Sequence, residues 1–234
     1  MIYERKDHHP LEKTSTRLSE MTSYQLREKL HFCSFSVGTV FLDIGADRYF
    51  LLPRNKALPL ERFLNGNPSR ADEQSLIDLG LIEPATNCKM EGQQSLISAR
   101  SSLLDDQLPQ ASNKRTIEAI VRQLSYRRKL KQRSLDHILS QLRSQRGLPL
   151  QSNATVALEV AAAFQRARRY VLASERCLPI SLAMSANLNH LGVESKLVFG
   201  VTMPFSAHCW VQIEDVVLSD SLDRVLPFRP IMVV

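Results

Sequence analysis

The stretch that most restricts the fold lies between residues 176 and 220. There Arg176-Cys177-Leu178-Pro179-Ile180-Ser181 opens an apolar run, Leu191-Gly192-Val193 closes it, and Ala207-His208-Cys209-Trp210-Val211 and Leu218-Ser219-Asp220 follow. Proline is tolerated in the first turn of a helix and costly deeper inside, so Pro179 predicts a helix that begins near Cys177. Ile180, Leu182, Ala183, Ala186, Leu188 and Leu191 bury this helix, and Gly192 ends it. Beyond it, Lys196 to Val201 and Cys209 to Ile213 predict two strands, with His208 at the start of the second. Asp215 turns the chain into a third strand, Val216 to Leu218, which ends at Ser219-Asp220. Antiparallel pairing brings His208 and Asp220 to one end of the sheet.

A thiol at a helix N-terminus meets free N–H groups and a partial positive charge, which stabilise a thiolate; backbone donors beside it can hold an oxyanion. The expected catalytic roles follow. Cys177 attacks, His208 takes and returns the proton, and Asp220 fixes the imidazole tautomer. Cys209 points to the opposite face by strand alternation and packs, while Cys33 and Cys88 are expected to be inert buried thiols. His190 falls in the last helical turn as a helix-end cation, and Glu214, Asp215 and Asp223 are turn or surface acids. A metal site is the other sharp reading of Cys with His, but no closely spaced second ligand pair exists, so no metal ligands are assigned.

With 44% apolar residues in 234, the chain can bury a real core as one large or two small domains. A net charge of +6 favours acidic partners without choosing among them. Four cysteines with no CxxC pair suggest neither a zinc ribbon nor a disulfide framework, and a reducing cytoplasm fits best. The N-terminus lacks an apolar signal core and no segment approaches the roughly 18 apolar residues of a membrane span, so a soluble cytoplasmic protein is expected.

Upstream, residues 1–23 show no sustained period and are expected to be a loose lead-in. Phe32 to Val37, Val40 to Ile44 and Tyr49 to Pro53 predict two or three antiparallel strands, with Gly45-Ala46-Asp47-Arg48 as turn. Leu58 to Leu64 reads as a short helix, and Ser69 as the N-cap of a second that buries Leu76 and Leu79 and ends at Gly80. Residues 24–90 therefore form a small module, and 91–113, rich in Gln, Ser, Asn and Asp, a linker. Residues 114–234 form the second domain. Its first part, Lys114 to Gln145, predicts one helix or two, with Ile117, Ile120, Val121, Leu124, Leu130, Leu135, Ile138, Leu139 and Leu142 on an apolar face. The basic run Tyr126 to Arg133 could meet phosphates or an acidic peptide, or simply be a solvated face; aromatic interleaving is too sparse for a single-strand stacking platform. Ala154 to Leu172 predicts an amphipathic helix with Arg166, Arg168 and Arg169 outside.

Two resemblances bear on this layout. Phe41-Leu42-Asp43-Ile44-Gly45-Ala46-Asp47-Arg48-Tyr49-Phe50-Leu51-Leu52, with Leu79-Gly80-Leu81-Ile82, resembles the winged-helix-like PqqD-type leader-recognition domain of ribosomal-peptide modification systems, though with less room for the middle helix. That resemblance implies an extended leader peptide added to a sheet edge, with Tyr49, Leu51, Leu76 and Leu79 as the leader-binding candidates; each could equally be ordinary core. The whole chain is similar to the maturation protease of lasso-peptide biosynthesis, the B protein, in its fused form. The match is carried by Cys177-Leu178 and the helix after it, Leu191-Gly192-Val193, Leu197 to Val201, Pro204-Phe205, Ala207 to Val211 and Ser219-Asp220. Cys209 and Gln212 stand where that family more often has a small residue and Glu.

The similarity implies an α+β chain whose C-terminal domain is transglutaminase-like and papain-related, with helices packed on an antiparallel sheet. It implies cleavage of the bond between leader and core of a lasso-peptide precursor, in concert with an asparagine-synthetase-like macrolactam synthetase. No cofactor is expected on this chain; ATP would be required through the partner synthetase, since no Gly-x-x-x-x-Gly-Lys-Ser/Thr loop is present. A transglutaminase would share the same three residues. Other readings are a leader-binding chaperone without catalysis and a basic nucleic-acid protein; no nucleic-acid partner is expected.

Overall fold

The computed structural model describes residues 23–85, 97–144, 154–171 and 177–234. The expected N-terminal lead-in lies almost wholly outside these residues, as does Cys88. The first half contains β1 (Tyr24–Leu26), β2 (Leu30–Phe35), β3 (Gly38–Asp43), β4 (Arg48–Pro53), α1 (Arg54–Leu64), α2 (Arg70–Asp78) and β5 (Ile82–Pro84). Strands β2, β3 and β4 form an antiparallel meander with β3 in the middle, and β1 pairs separately with β5. Ser69 caps α2 as expected: its hydroxyl accepts from the Asp72 N–H, and the Asp72 carboxylate accepts in return from the Ser69 N–H.

The second half contains β6 (Ser101–Ser102), α3 (Asn113–Gln132), α4 (Leu135–Ser144), α5 (Ala154–Ala167), α6 (Cys177–His190), β7 (Lys196–Thr202), β8 (Ser206–Ile213), β9 (Val216–Val217), α7 (Leu222–Val225) and β10 (Arg229–Val233). Its five strands lie in the order β10-β7-β8-β9-β6, antiparallel except where β6 joins β9. The chain is thus mixed α and β, and no helix among the described residues is long and apolar enough to cross a membrane.

Two expectations need correction. Residues 97–112 are not a free linker: β6 extends the sheet, and the Gln212 amide donates to Ile97 O at 2.6 Å. Polar composition is no guide here because it is the backbone that joins the sheet: the N–H groups of Arg100 and Leu103 donate to the carbonyls of Asp215 and Val217, while the polar side chains of 105–107 stay exposed. On α3 the buried positions are Thr116, Ala119, Gln123 and Tyr126, whereas Ile117 and Val121 are 60% and 59% exposed. Helix α3 packs against both α5 and α6, and small residues such as Thr and Ala let helix axes approach closely. Of the larger side chains of the periodic stripe on α3, Ile117, Val121 and Leu124 are turned outward, while Ile120 and Leu130 pack partly against the main core. The break anticipated within the basic segment falls between Gln132 and Leu135.

The two halves share a core. Every residue of β3 is buried, and the strand feeds two clusters from its two faces. Phe41 joins Leu30, Leu52, Leu60, Leu76 and Leu81 in the small N-terminal core. Val40, Leu42 and the following Ile44 join the main core with Leu139, Phe164, Leu182 and Phe199. Removing each such side chain from water contributes about 1.5–3 kcal/mol, so these three weld the sheet to the C-terminal half. Polar contacts finish the junction. Asp47 caps α4 by accepting from Leu135 N at 3.1 Å, Lys29 pairs with Asp136 at 2.7 Å, and Arg229 donates to Ser34 O at 3.2 Å.

Candidate active site

Helix α6 starts at Cys177, which makes Pro179 its third residue, where a missing N–H costs the helix nothing. From Pro179 to Asn189 every residue is buried, Ser181, Ser185, Asn187 and Asn189 included, because the helix is enclosed by α3, α5, β7 and β8. Gly192 ends it with φ of +71°, in the left-handed region that glycine adopts without a Cβ penalty. One turn inside, Ser181 donates to the Cys209 carbonyl at 2.8 Å and pins the start of α6 to β8. That bond fixes Cys177 beside His208.

His208 lies opposite Gly200 in the β7–β8 pairing. A Cβ at Gly200 would lie 2.6 Å from Trp210 Cζ3 and 2.9 Å from Phe228 Cβ. Only glycine lets the Trp210 ring and Phe228 close on this face, where their rings stand 6.2 and 5.2 Å from the imidazole. The ring of His208 is thereby held by packing. On its far side Nε2 lies 3.4 Å from Asp220 Oδ2, an ion-pair separation without good hydrogen-bond alignment. With Nε2 turned to the carboxylate, Nδ1 is the nitrogen left for the Cys177 thiol, whose interaction with the imidazole lowers the thiol and raises the ring. Thiol, imidazole and carboxylate meet in the order expected from the sequence.

Asp220 is held from four directions. Ser219 Oγ donates to Oδ2 at 3.0 Å while accepting from Val211 N at 2.9 Å. Arg168 contacts Oδ1 at 3.3 Å and also donates to the Ser219 carbonyl, and Arg224 stands 3.8 Å from Oδ1. Ser102 Oγ, from β6, donates to the Asp220 carbonyl at 2.5 Å. Arg168 was expected on the outside of its helix; instead it follows the last turn of α5 and points inward. Arg166, also expected outside, is half-buried and donates to the Ala111 carbonyl at 2.7 Å, so of the three only Arg169 is exposed.

The electrostatics favour an ion pair. Burial pushes the Cys177 thiol up, yet the hydrogen bond and charge of His208, with the backbone N–H groups of Cys209 and Leu178, outweigh it and bring the thiol below its ordinary value. Burial likewise opposes charge on His208, but Asp220 and Cys177 raise the imidazole to about 9. Burial also disfavours the Asp220 carboxylate, and His208, Arg168 and Ser219 more than offset it, leaving that group below the usual range. Each shift favours the charged form of its group, so the arrangement favours a thiolate beside an imidazolium.

The other candidates separate. Cys209 is buried in the main core, where its thiol is pushed well above the ordinary value by burial. Cys33 is partly buried, and burial raises its thiol too. Gln212, at the position where Glu was the commoner family residue, uses its amide to donate to the carbonyls of both Ile97 and Glu214, each at 2.6 Å. A carboxylate could not donate there. Of the leader-binding candidates, Leu76 is 0% exposed inside the small core and has no surface left for a peptide. Leu51 and Leu79 are exposed, and Tyr49 packs against the main core next to Phe205. The four do not form one patch. Among the described residues no group of three or more His, Cys, Asp and Glu is arranged to hold a metal ion.

Residues 97–233 match the family model described as the transglutaminase-like superfamily, a span that covers more than half of the chain and contains Cys177, His208 and Asp220. The chain belongs to this superfamily. No curated protein and no solved structure matches it.

Proposed function

We propose that this protein is a cysteine endopeptidase that removes the leader from a lasso-peptide precursor. The observation that carries the reading is the convergence of Cys177, His208 and Asp220 at the start of α6, with the thiol lowered and the imidazole raised. The Cys177 thiolate attacks the carbonyl at the leader–core junction. His208 then protonates the departing core amine as the C–N bond breaks, leaving the leader as a thioester on Cys177. Water, deprotonated by His208, hydrolyses the thioester and frees both thiol and leader acid. Asp220 keeps Nε2 oriented and the imidazolium charge compensated throughout.

The N-terminal half supports the leader-binding part of the reading. Its three-stranded sheet ends in β4, whose outer side is unpaired among the described residues, and such an edge accepts an extended peptide as an added strand. Leu51 on β4 and Leu79 after α2 are the exposed apolar side chains available to such a peptide. In this PqqD-like role the module holds the leader, in the cytoplasm, while the core is passed to an asparagine-synthetase-like macrolactam synthetase that supplies the ATP dependence. Resolution of the thioester by an amine instead of water would make the same site a transglutaminase.

The test is to incubate a precursor of such a pathway with this protein, the synthetase and ATP, and to follow the products by mass spectrometry. A free leader with a new C-terminal carboxylate is expected. An intact precursor that still binds would leave a leader chaperone, and a leader released as an amide of an added amine, in place of the new carboxylate, would identify acyl transfer.

A further inference from the structure

Two aromatic rings from opposite halves of the chain meet at the turn that leads into His208. Tyr49 lies on β4 directly across from Leu42 of β3, and residues opposite one another in an antiparallel pair share a face. That face is the one by which Leu42 enters the main core, so Tyr49 is carried against the C-terminal half. Its ring stands 5.6 Å from Phe205, tilted by 57°. Phe205 lies in the turn between β7 and β8, three residues before His208, and remains 55% exposed. Burial raises the Tyr49 hydroxyl well above the ordinary tyrosine value, and the Cys209 and Cys177 thiols raise it further, so the phenol lies within electrostatic reach of the nucleophile. Two residues along β4 on the same side, Leu51 is exposed, and the strand's outer edge is unpaired among the described residues. A peptide added to that edge would pass Leu51 and Tyr49 on its way to Cys177.

We infer that Tyr49 and Phe205 form an aromatic subsite at the Cys177 thiol, which selects a planar or apolar side chain next to the bond that is cut. This rests on the reading of Cys177 as nucleophile and adds that the N-terminal half builds part of the cleft. A tilted aromatic pair offers a third ring both an edge and a face, and stacking of that kind is favourable beyond the area it buries.

The probes are iodoacetamide and its N-phenyl derivative, whose alkylation of Cys177 is followed by peptide mass mapping. In each case the thiolate forms an S–C bond as iodide leaves, and only the phenyl group differs. Rates are divided by those of glutathione with the same reagents, which removes intrinsic reactivity. The native protein is expected to prefer the phenyl reagent by about three- to tenfold. Tyr49→Ala and Phe205→Ala should each bring the ratio close to 1, while Tyr49→Phe, which keeps the ring, retains it. Phe205 sits in an exposed turn, so Phe205→Ala remains informative even where Tyr49→Ala fails to fold.

No preference in the native protein, or a preference that survives both alanine substitutions, overturns the subsite. A Cys177 that reacts with neither reagent removes the nucleophile reading and the subsite with it. Because no precursor is involved, a preference seen here stands even where precursor cleavage is not found.

Discussion

Cys177→Ala is expected to leave the precursor uncut, with cleavage reduced by at least about 10⁴-fold, while labelled leader binds as tightly as to the native protein. The separation follows from placement. The thiol lies at the first residue of α6, whereas the exposed edge that would hold the leader belongs to β4. Deleting the sulfur removes the atom that would form the acyl intermediate and leaves Tyr49, Leu51 and Leu79 untouched. Cleavage by mass spectrometry and leader binding by fluorescence anisotropy, measured on one preparation, check both halves. Undiminished cleavage would eliminate Cys177 from the chemistry.

His208→Ala is the second large effect, and it acts twice. First, it removes the general base and acid, a loss of about 10²–10⁴-fold in cleavage. Second, it removes the hydrogen bond and charge that lower the Cys177 thiol, leaving the burial that raises it opposed only by the backbone N–H groups of Cys209 and Leu178. The thiol should then titrate above its position in the native protein, and alkylation near neutral pH should slow. The direction of the shift matters. A group whose charged form has lost its partner is pushed toward neutrality, so the thiolate appears only at higher pH. Comparing iodoacetamide rates for native and His208→Ala proteins between pH 5 and about pH 10, a range that brackets ordinary imidazole and thiol titration, measures it. Equal profiles would mean that imidazole and thiol do not communicate.

Features set by neighbouring residues could be read from the sequence. Pro179 and Gly192 marked the two ends of α6 because proline and glycine act on the backbone within a turn or two. His208 and Cys209 were assigned to opposite faces by strand alternation alone, and Cys209 does lie in the main core. The Ser69 cap was legible for the same reason. What escaped were the pieces whose partners are distant. Ser102 bonds to a carbonyl 118 positions away, and a two-residue strand such as β6 has no period to detect. Strand β10, with an exposed Arg229 and Pro230, was overlooked at the end of the chain although it forms one edge of the five-stranded sheet.

Tyr49 shows the limit most clearly. Its alternation on β4 gave a face but not what that face meets, because the docking surface comes from residues in α4, β10 and the β7–β8 turn. Residues 97–103 meet the same limit, since their partners lie more than 100 positions away on β9. Composition reports how a segment interacts with water on average, whereas the backbone of residues 97–103 finds its hydrogen bonds in the sheet.

The most direct measurement is the pH dependence of Cys177 alkylation in the native protein, resolved from the other thiols by mass mapping. A thiolate–imidazolium pair requires the rate to rise at a pH below the ordinary thiol value of about 8.5 and to hold a plateau through neutrality, while cleavage falls as the imidazolium loses its proton near 9. A single rise at or above the ordinary thiol value, with no plateau below it, would contradict the pair and the chemistry built on it.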